Sequence, residues 1–306
     1  MLHYISVNLV RSDVIIKAVI ATLKTLMNIL LTGADGNFGC EFRGQAAAKG
    51  GVQVVPVGRS DWPDIHNKLA GVDVVVHAAS DLRTSASAAP SRLLDSNVMS
   101  TAVLLEAALV SKVKKFVFLS SCAVYGEDMR TREDSLCCPI TINGISKHLN
   151  EKLVAAFCAA NGIEFQILRV FNSYGGQDKF SIFSHLQRAL LTSTPFTLNN
   201  AGRMQRDFIH VADVASIVLR LSTTSLSCTH LNIGTGTATK VSLLVNMLSA
   251  QFPQLRIRHG VTQEAEYSRA DTARLREFWS SDFVRVEDYV SQTLAHDIAV
   301  ALAQQA

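Results

Sequence analysis

The sequence predicts an α/β fold, a doubly wound parallel sheet with a smaller, discontinuous second lobe. Three observations predict it. The apolar run Asn28-Ile-Leu-Leu-Thr32 stops abruptly in a turn containing Gly33, Gly36 and Gly39. Strand-like and helix-like stretches then alternate as far as Tyr174, the pattern of a sheet wound with crossover helices. Beyond Tyr174 the rhythm loosens into shorter pieces with no linker to mark a boundary.

Ile29, Leu30 and Leu31 have no polar residue between them, as expected of a strand covered on both faces. Glycines at this spacing let the backbone turn tightly and approach a pyrophosphate, while the next helix presents its N-terminal N–H groups to the phosphates. The spacing therefore points to a bound dinucleotide, with Gly33, Gly36, Asn37, Phe38 and Gly39 around it. Phe38 to Lys49 is predicted as a helix ended by Gly50-Gly51, and Val52 to Val57 as a second buried strand. After it comes Gly58-Arg59-Ser60-Asp61. An acid near this point serves the ribose hydroxyls of NAD, whereas an Arg can receive the 2′-phosphate of NADP. Arg59 tilts the expectation towards NADP, with Asp61 left open as a ribose or adenine contact.

Val72 to Ser80 reads as the next strand, leading into Ala78 and Ala79, small enough for a coenzyme to lie against the backbone. Leu93 to Val110 is predicted as a helix that carries Asn97. A fourth strand in Lys115 to Gly126 runs out into hydroxyl residues at its carboxyl end, where chemistry collects in open parallel sheets. A helix over Asn143 to Asn161, stopped by Gly162, and a strand over Ile163 to Val170 follow. Later come a helix over Ser181 to Leu191, a strand ending in Gly234-Thr-Gly236 and a helix over Ser242 to Phe252. The division expected is a dinucleotide domain over 27–175, with about 205–235 returning to it, and a substrate-binding lobe from 176–204 and 236–306.

Composition narrows the class. A chain of 306 residues that is 48% hydrophobic can bury a sizeable core. A net charge of +3 with no Lys/Arg block gives no reason to expect nucleic acid as a partner. The cysteines, Cys40, Cys122, Cys137, Cys138, Cys158 and Cys228, form no CxxC pair and read as free thiols of a cytoplasmic protein. Val14 to Leu26 is apolar, but Lys17 and Lys24 interrupt it, so no membrane span is expected. Residues 1–26 read as an extension ahead of Met27, a surface helix or a disordered segment. Scattered histidines predict no metal, and His77 is expected to be structural.

The ordered motifs Thr32-Gly-Ala-Asp-Gly-Asn-Phe-Gly39, Asp73-Val-Val-Val-His-Ala-Ala79, Ser120-Ser-Cys-Ala-Val-Tyr-Gly126, Gly144-Ile-Ser-Lys147, Leu168-Arg-Val-Phe-Asn-Ser-Tyr-Gly175, Arg206-Asp-Phe-Ile-His-Val211 and Asn232-Ile-Gly-Thr-Gly236 carry a resemblance. From about Met27 to about Tyr289 the chain resembles the extended short-chain dehydrogenase/reductases, the nucleotide-sugar epimerases, dehydratases and 4-ketoreductases built on a Rossmann fold. The resemblance implies NAD or NADP as cofactor, a nucleotide sugar as substrate, and a homodimer. It implies Lys147 beside the nicotinamide ribose, Ser121 as the hydroxyl that holds the reacting oxygen, Asn97 shaping the cofactor pocket, and Tyr125, Asn172 and Arg206 on the substrate side. An Arg suits a diphosphate because its planar fork meets phosphate oxygens in pairs.

The chain departs from the family at the proton carrier. Four residues before Lys147, where the family has a Tyr whose pKa the Lys lowers, stands Asn143. A carboxamide orients or polarises a carbonyl but exchanges no proton near neutral pH. Asn143 then marks a different proton carrier, with Tyr125, Ser121 or a water relayed through Lys147 as alternatives, or a member retired from catalysis, or a substituted position. The family's Arg-Gly-Asp ahead of Asp271 is also replaced, by Gln263-Glu-Ala-Glu-Tyr-Ser-Arg269, and Cys122-Ala123 stands where dehydratases carry an acidic pair.

Overall fold

The computed structural model describes residues 26–81, 90–127, 131–262 and 265–305. The extension expected over residues 1–26 lies, Leu26 apart, outside the described residues, as do Gln263 and Glu264.

Strand β1 (Met27–Thr32) is followed by helix α1 (Asn37–Lys49), β2 (Val52–Val57) and β3 (Val74–His77). Helix α2 spans Pro90–Val110 with a π-helical middle, and β4 (Lys115–Ser121), α3 (Ile142–Asn161) and β5 (Glu164–Val170) complete the alternation. A sixth strand, numbered β9 in chain order (His230–Ile233), closes the sheet, which runs β2-β1-β3-β4-β5-β9 with every pair parallel. The doubly wound parallel architecture is therefore as expected.

Successive residues of β1 face opposite layers, which is why the run carries no polar partner. Ile29 and Leu31 pack in one layer with Phe42 and Ala46 of α1 and with Val214 and Val218. Leu30 packs in the other with Leu104, Leu105 and Val154 from α2 and α3. β2 differs from expectation. It is the edge strand and only its last residue, Val57, is buried, although Val52 and Val54 pack towards one layer and Val55 and Val57 towards the other.

The second lobe is built from β6 (Asn172–Tyr174), α4 (Ile182–Leu191), β7 (Phe196–Asn199), β8 (Gln205–His210), β10 (Ala238–Lys240), α6 (Val241–Gln251), β11 (Ile257–Gly260), β12 (Tyr267–Ser268) and a helical stretch over residues 286–303 (α7), with α5 (Val211–Ser222) between β8 and β9. β8 pairs with β10, β12 and β6, so Gln205–His210 belongs to this second sheet. The return to the large sheet expected from about residue 205 is made by β9, while α5 packs beside α1. By length and composition alone α2 could cross a membrane. Here its Leu104, Leu105, Ala107 and Ala108 are core residues of the large sheet.

Candidate active site

The strand order reverses at β1, with β2 on one side and β3 on the other. Ligands of open α/β sheets bind outside the carboxyl ends of the strands at such a point. The sequence puts its glycine turn there. Gly33 has φ +70°, and a Cβ on it would meet the Ala79 backbone nitrogen at 2.9 Å. A Cβ on Gly39 would stand 2.3 Å from the Gly33 carbonyl and 2.7 Å from the Ala34 Cα. The turn thus requires bare backbone in two places, and no side chain caps the start of α1 at Gly36. These features fit a pyrophosphate: backbone N–H groups, a positive dipole end and nothing to keep phosphate oxygens away.

A cavity of about 1100 Å³ extends from this turn into the second lobe. Gly33, Gly36, Asn37, Phe38, Gly39, Arg59, Ala78 and Ala79 line one part of it, and Asn172 and Arg206 the other. Asp61 is used elsewhere: its carboxylate accepts from the Gly58 N–H at 2.7 Å and pairs with Lys68 at 3.3 Å, contacts that hold its pKa below the usual range. Asn97 acts at one remove. Its side chain accepts from the Asp81 N–H at 2.7 Å, and Asp81 itself lines the cavity.

Ser121, Asn143 and Lys147 stand where β4 ends and α3 begins, and none of the three is among the residues lining the cavity. Ser121 Oγ accepts from the Ala123 N–H at 3.2 Å, tightening the turn Cys122–Val124. That turn packs on the first turn of α3, where a Cβ on Gly144 would fall 2.5 Å from the Ala123 carbonyl. Asn143 Oδ1 is shut off from solvent with no hydrogen-bond partner among the described residues. The Lys147 ammonium donates to the Leu119 carbonyl at 2.7 Å and lies 4.9 Å from the Phe118 ring centre. Burial pushes its pKa down to about 8.

The expectation that Tyr125 reaches a substrate, or replaces the missing phenol, is corrected. Tyr125 is 1% exposed; its hydroxyl donates to Asn232 Oδ1 at 2.6 Å and accepts from Arg169 at 3.0 Å. Burial pushes its pKa well above the usual phenol range. Arg169 is itself forked onto Glu151 at 2.8 and 3.0 Å, so Tyr125 belongs to a buried polar network between β4, α3, β5 and β9. Tyr174 is equally enclosed, its hydroxyl on the Val284 carbonyl. We predict that Tyr125→Phe costs about 1–3 kcal/mol by stranding its two partners, with turnover within about threefold of the parent, as unfolding curves and rates on the same preparation would show.

His77 is a satisfied core residue. Its ring nitrogens lie 2.7 and 2.9 Å from the Thr32 and Thr101 hydroxyls, and burial together with the Lys147 charge takes its pKa down to about 3. Among the described residues Cys137, His148 and Glu151 could together face a cation, but Glu151 already holds the Arg169 guanidinium there. Asp207, the residue after Arg206, accepts from the backbone of Thr235, Gly236 and Ala270. Sequence reasoning missed the far wall of the cavity, including His185, Arg188 and Asn199. His185 and Arg188 lie three residues apart on α4 and Asn199 ends β7, and only the folding of the second lobe brings the two elements to one wall. It also missed the use of Asn37, which donates to the Gly175 carbonyl at 2.9 Å and accepts from the Gln177 N–H at 2.7 Å.

The chain belongs to the NAD dependent epimerase/dehydratase family, whose pattern matches residues 29–234. It is 28% identical over 227 residues to the uncharacterized UDP-glucose epimerase YtcB of Bacillus subtilis, across 72% of this chain and 72% of that one. Its structure is similar to that of TunA, an NAD dependent NDP-hexosamine 5,6-dehydratase involved in tunicamycin biosynthesis, with TM-score 0.81, 27% identity and coverage of 88% of this chain and 96% of the other. MoeE5 in complex with UDP-glucuronic acid and NAD matches with TM-score 0.80 and 28% identity, over 91% of this chain and all (100%) of MoeE5.

Proposed function

We propose that this chain is an NAD(P)-dependent oxidoreductase or epimerase of a nucleotide-activated sugar, working as a 4-ketoreductase rather than as an epimerase that keeps its coenzyme. The observation that carries the reading is the single cavity joining the glycine turn to Asn172 and Arg206. One end suits a dinucleotide and the other has a guanidinium and a carboxamide suited to a sugar diphosphate. The nicotinamide, when bound, supplies or accepts hydride at its C4. Ser121 and Lys147 then arrange the sugar oxygen, and Asn143 stands in the place of the family's acid/base.

MoeE5 holds NAD, yet Arg59 lines this cavity while Asp61 is taken up by Gly58 and Lys68. That supports NADP as the coenzyme of this chain. Arg59→Ala is expected to weaken NADP about tenfold or more, the loss of one charge-assisted contact, and to leave NAD within about threefold. Calorimetric titration with each coenzyme decides it; equal losses for both sink the NADP assignment.

We assign residues 27–171 and 211–235 to coenzyme binding, and 172–210 and 236–306 to the substrate lobe, in a cytoplasmic homodimer. Leu94, Met99, Val103 and Val110 on α2 and Ile142, Ile145 and Leu149 on α3 are exposed and support a partner copy there. A second reading, a member that binds without turnover, is favoured by Asn143 alone. Incubation with NADPH and a panel of 4-keto nucleotide sugars tests it: tight binding of both with no coenzyme oxidation replaces the enzyme reading with this one.

A further inference from the structure

The far wall of the cavity carries a cation that the function proposed above leaves unused. Ile182, His185, Arg188 and Ala189 all line the cavity and recur at the spacing of one helix face, so α4 turns that face inwards. Arg188 is exposed there. Among the described residues its guanidinium has one hydrogen bond, a 3.4 Å contact with the Lys179 carbonyl. Such a bond is long for a charged donor, and it leaves most of the N–H groups of the fork open to a ligand. Asp178, an acid on the same wall, is engaged with backbone instead. It accepts from the Phe180 and Ser181 N–H groups at 2.9 and 3.0 Å.

Arg206 reaches the same part of the cavity from β8. Its Nη1 donates to the Gln205 carbonyl at 3.0 Å and its Nη2 lies 3.2 Å from the Met204 sulfur. Met204 packs in one apolar cluster with Ala189 and Phe196, and all three line the cavity. The floor between Arg206 and α4 is therefore apolar, with a guanidinium at each border. An anion lying over that floor finds its polar partners only at the two borders. At the other end of the cavity the glycine turn and the start of α1 already suit the coenzyme's pyrophosphate.

We propose that Arg188 is the second guanidinium on the diphosphate of the nucleotide sugar, closing on it from α4 while Arg206 holds it from β8. The inference deepens the function proposed above and rests on it. The diphosphate of a sugar nucleotide is a dianion, which one Arg only half neutralises. Two forks from opposite borders meet oxygens of both phosphoryl groups and fix the distance from the diphosphate to the sugar.

Calorimetric titration of the parent with UDP-, dTDP-, CDP- and GDP-glucose comes first. Binding of none of them overturns the proposed function, and this assignment with it. For the one bound most tightly, Arg188→Gln is expected to weaken binding by about tenfold or more, the loss of one charge-assisted contact, with NADPH affinity within about threefold. Arg188→Lys keeps the charge without the fork and should recover part of the loss. The fall of affinity with added salt should be shallower in Arg188→Gln than in the parent, because an ion contact that salt screens is gone. Lys49→Gln removes a charge of the same sign from the exposed end of α1 and should leave both affinities within about threefold. Sugar-nucleotide binding unchanged in Arg188→Gln overturns the assignment and leaves the function standing. So does a tenfold loss with the parent's salt dependence, the mark of a packing role. A loss confined to NADPH also overturns it, by putting Arg188 on the coenzyme's pyrophosphate.

Discussion

Asn143→Tyr is expected to raise the rate by about 10²- to 10⁴-fold, the usual worth of general acid/base help, because a carboxamide at this position exchanges no proton. Position 143 sits in the first turn of α3, four residues before Lys147 and directly before Gly144, which is pressed against the Ala123 carbonyl. A phenol there would be introduced beside the Ser121 turn and near an ammonium whose pKa is already lowered to about 8. Above that pH Lys147 loses its charge, so the gained rate should decline from about pH 8 upwards. Rates of the parent and of Asn143→Tyr measured from pH 6 to 11 check both statements. An unchanged rate at every pH would mean that another group already carries the proton.

The second large effect is expected from Gly39→Val. Its Cβ would stand 2.3 Å from the Gly33 carbonyl and 2.7 Å from the Ala34 Cα, and all of these neighbours are backbone. No rotamer change relieves such a clash, so α1 must lift from the turn or the turn must open. Either movement displaces the N–H groups that face the pyrophosphate, and we expect coenzyme affinity to fall by more than about 100-fold, two decades being about 2.7 kcal/mol. Overpacking in a tight site costs typically about 1–3 kcal/mol in stability as well. Calorimetry with NADPH and a thermal unfolding curve on the same sample measure the two losses. Gly44 on α1 has open space at its Cβ position, so Gly44→Ala is the matched control and should bind as the parent does.

How much of this was legible in the sequence depends on whether local pattern or distant neighbours decide a residue's use. β1 and its glycine turn could be read because both constraints are local: an apolar run covered on both faces, and a backbone that a Cβ would block. The second strand was misjudged. Val52–Val57 is as apolar as a central strand, but edge position is fixed by chain topology, and sequence pattern does not report it. For Tyr125 the motif implies a place on the substrate side. Its enclosure depends on Arg169, Glu151 and Asn232, which the fold brings to it from three other elements. Asp207 was hidden for the same reason, since its partners Thr235, Gly236 and Ala270 lie far along the chain. Arg59 and Asp61, two residues apart, could not be ranked until Gly58 and Lys68 were seen to occupy the carboxylate.

Asn37 ties the glycine turn to the Gly175–Gln177 segment through both halves of its amide. That segment joins β6 to α4, both of the second lobe. Swinging the sugar-side wall outwards therefore strains the coenzyme cradle, and filling the cradle steadies the wall before any sugar arrives. Loading is expected to be ordered, dinucleotide first, with the carboxamide of one residue as the strap between the two guests.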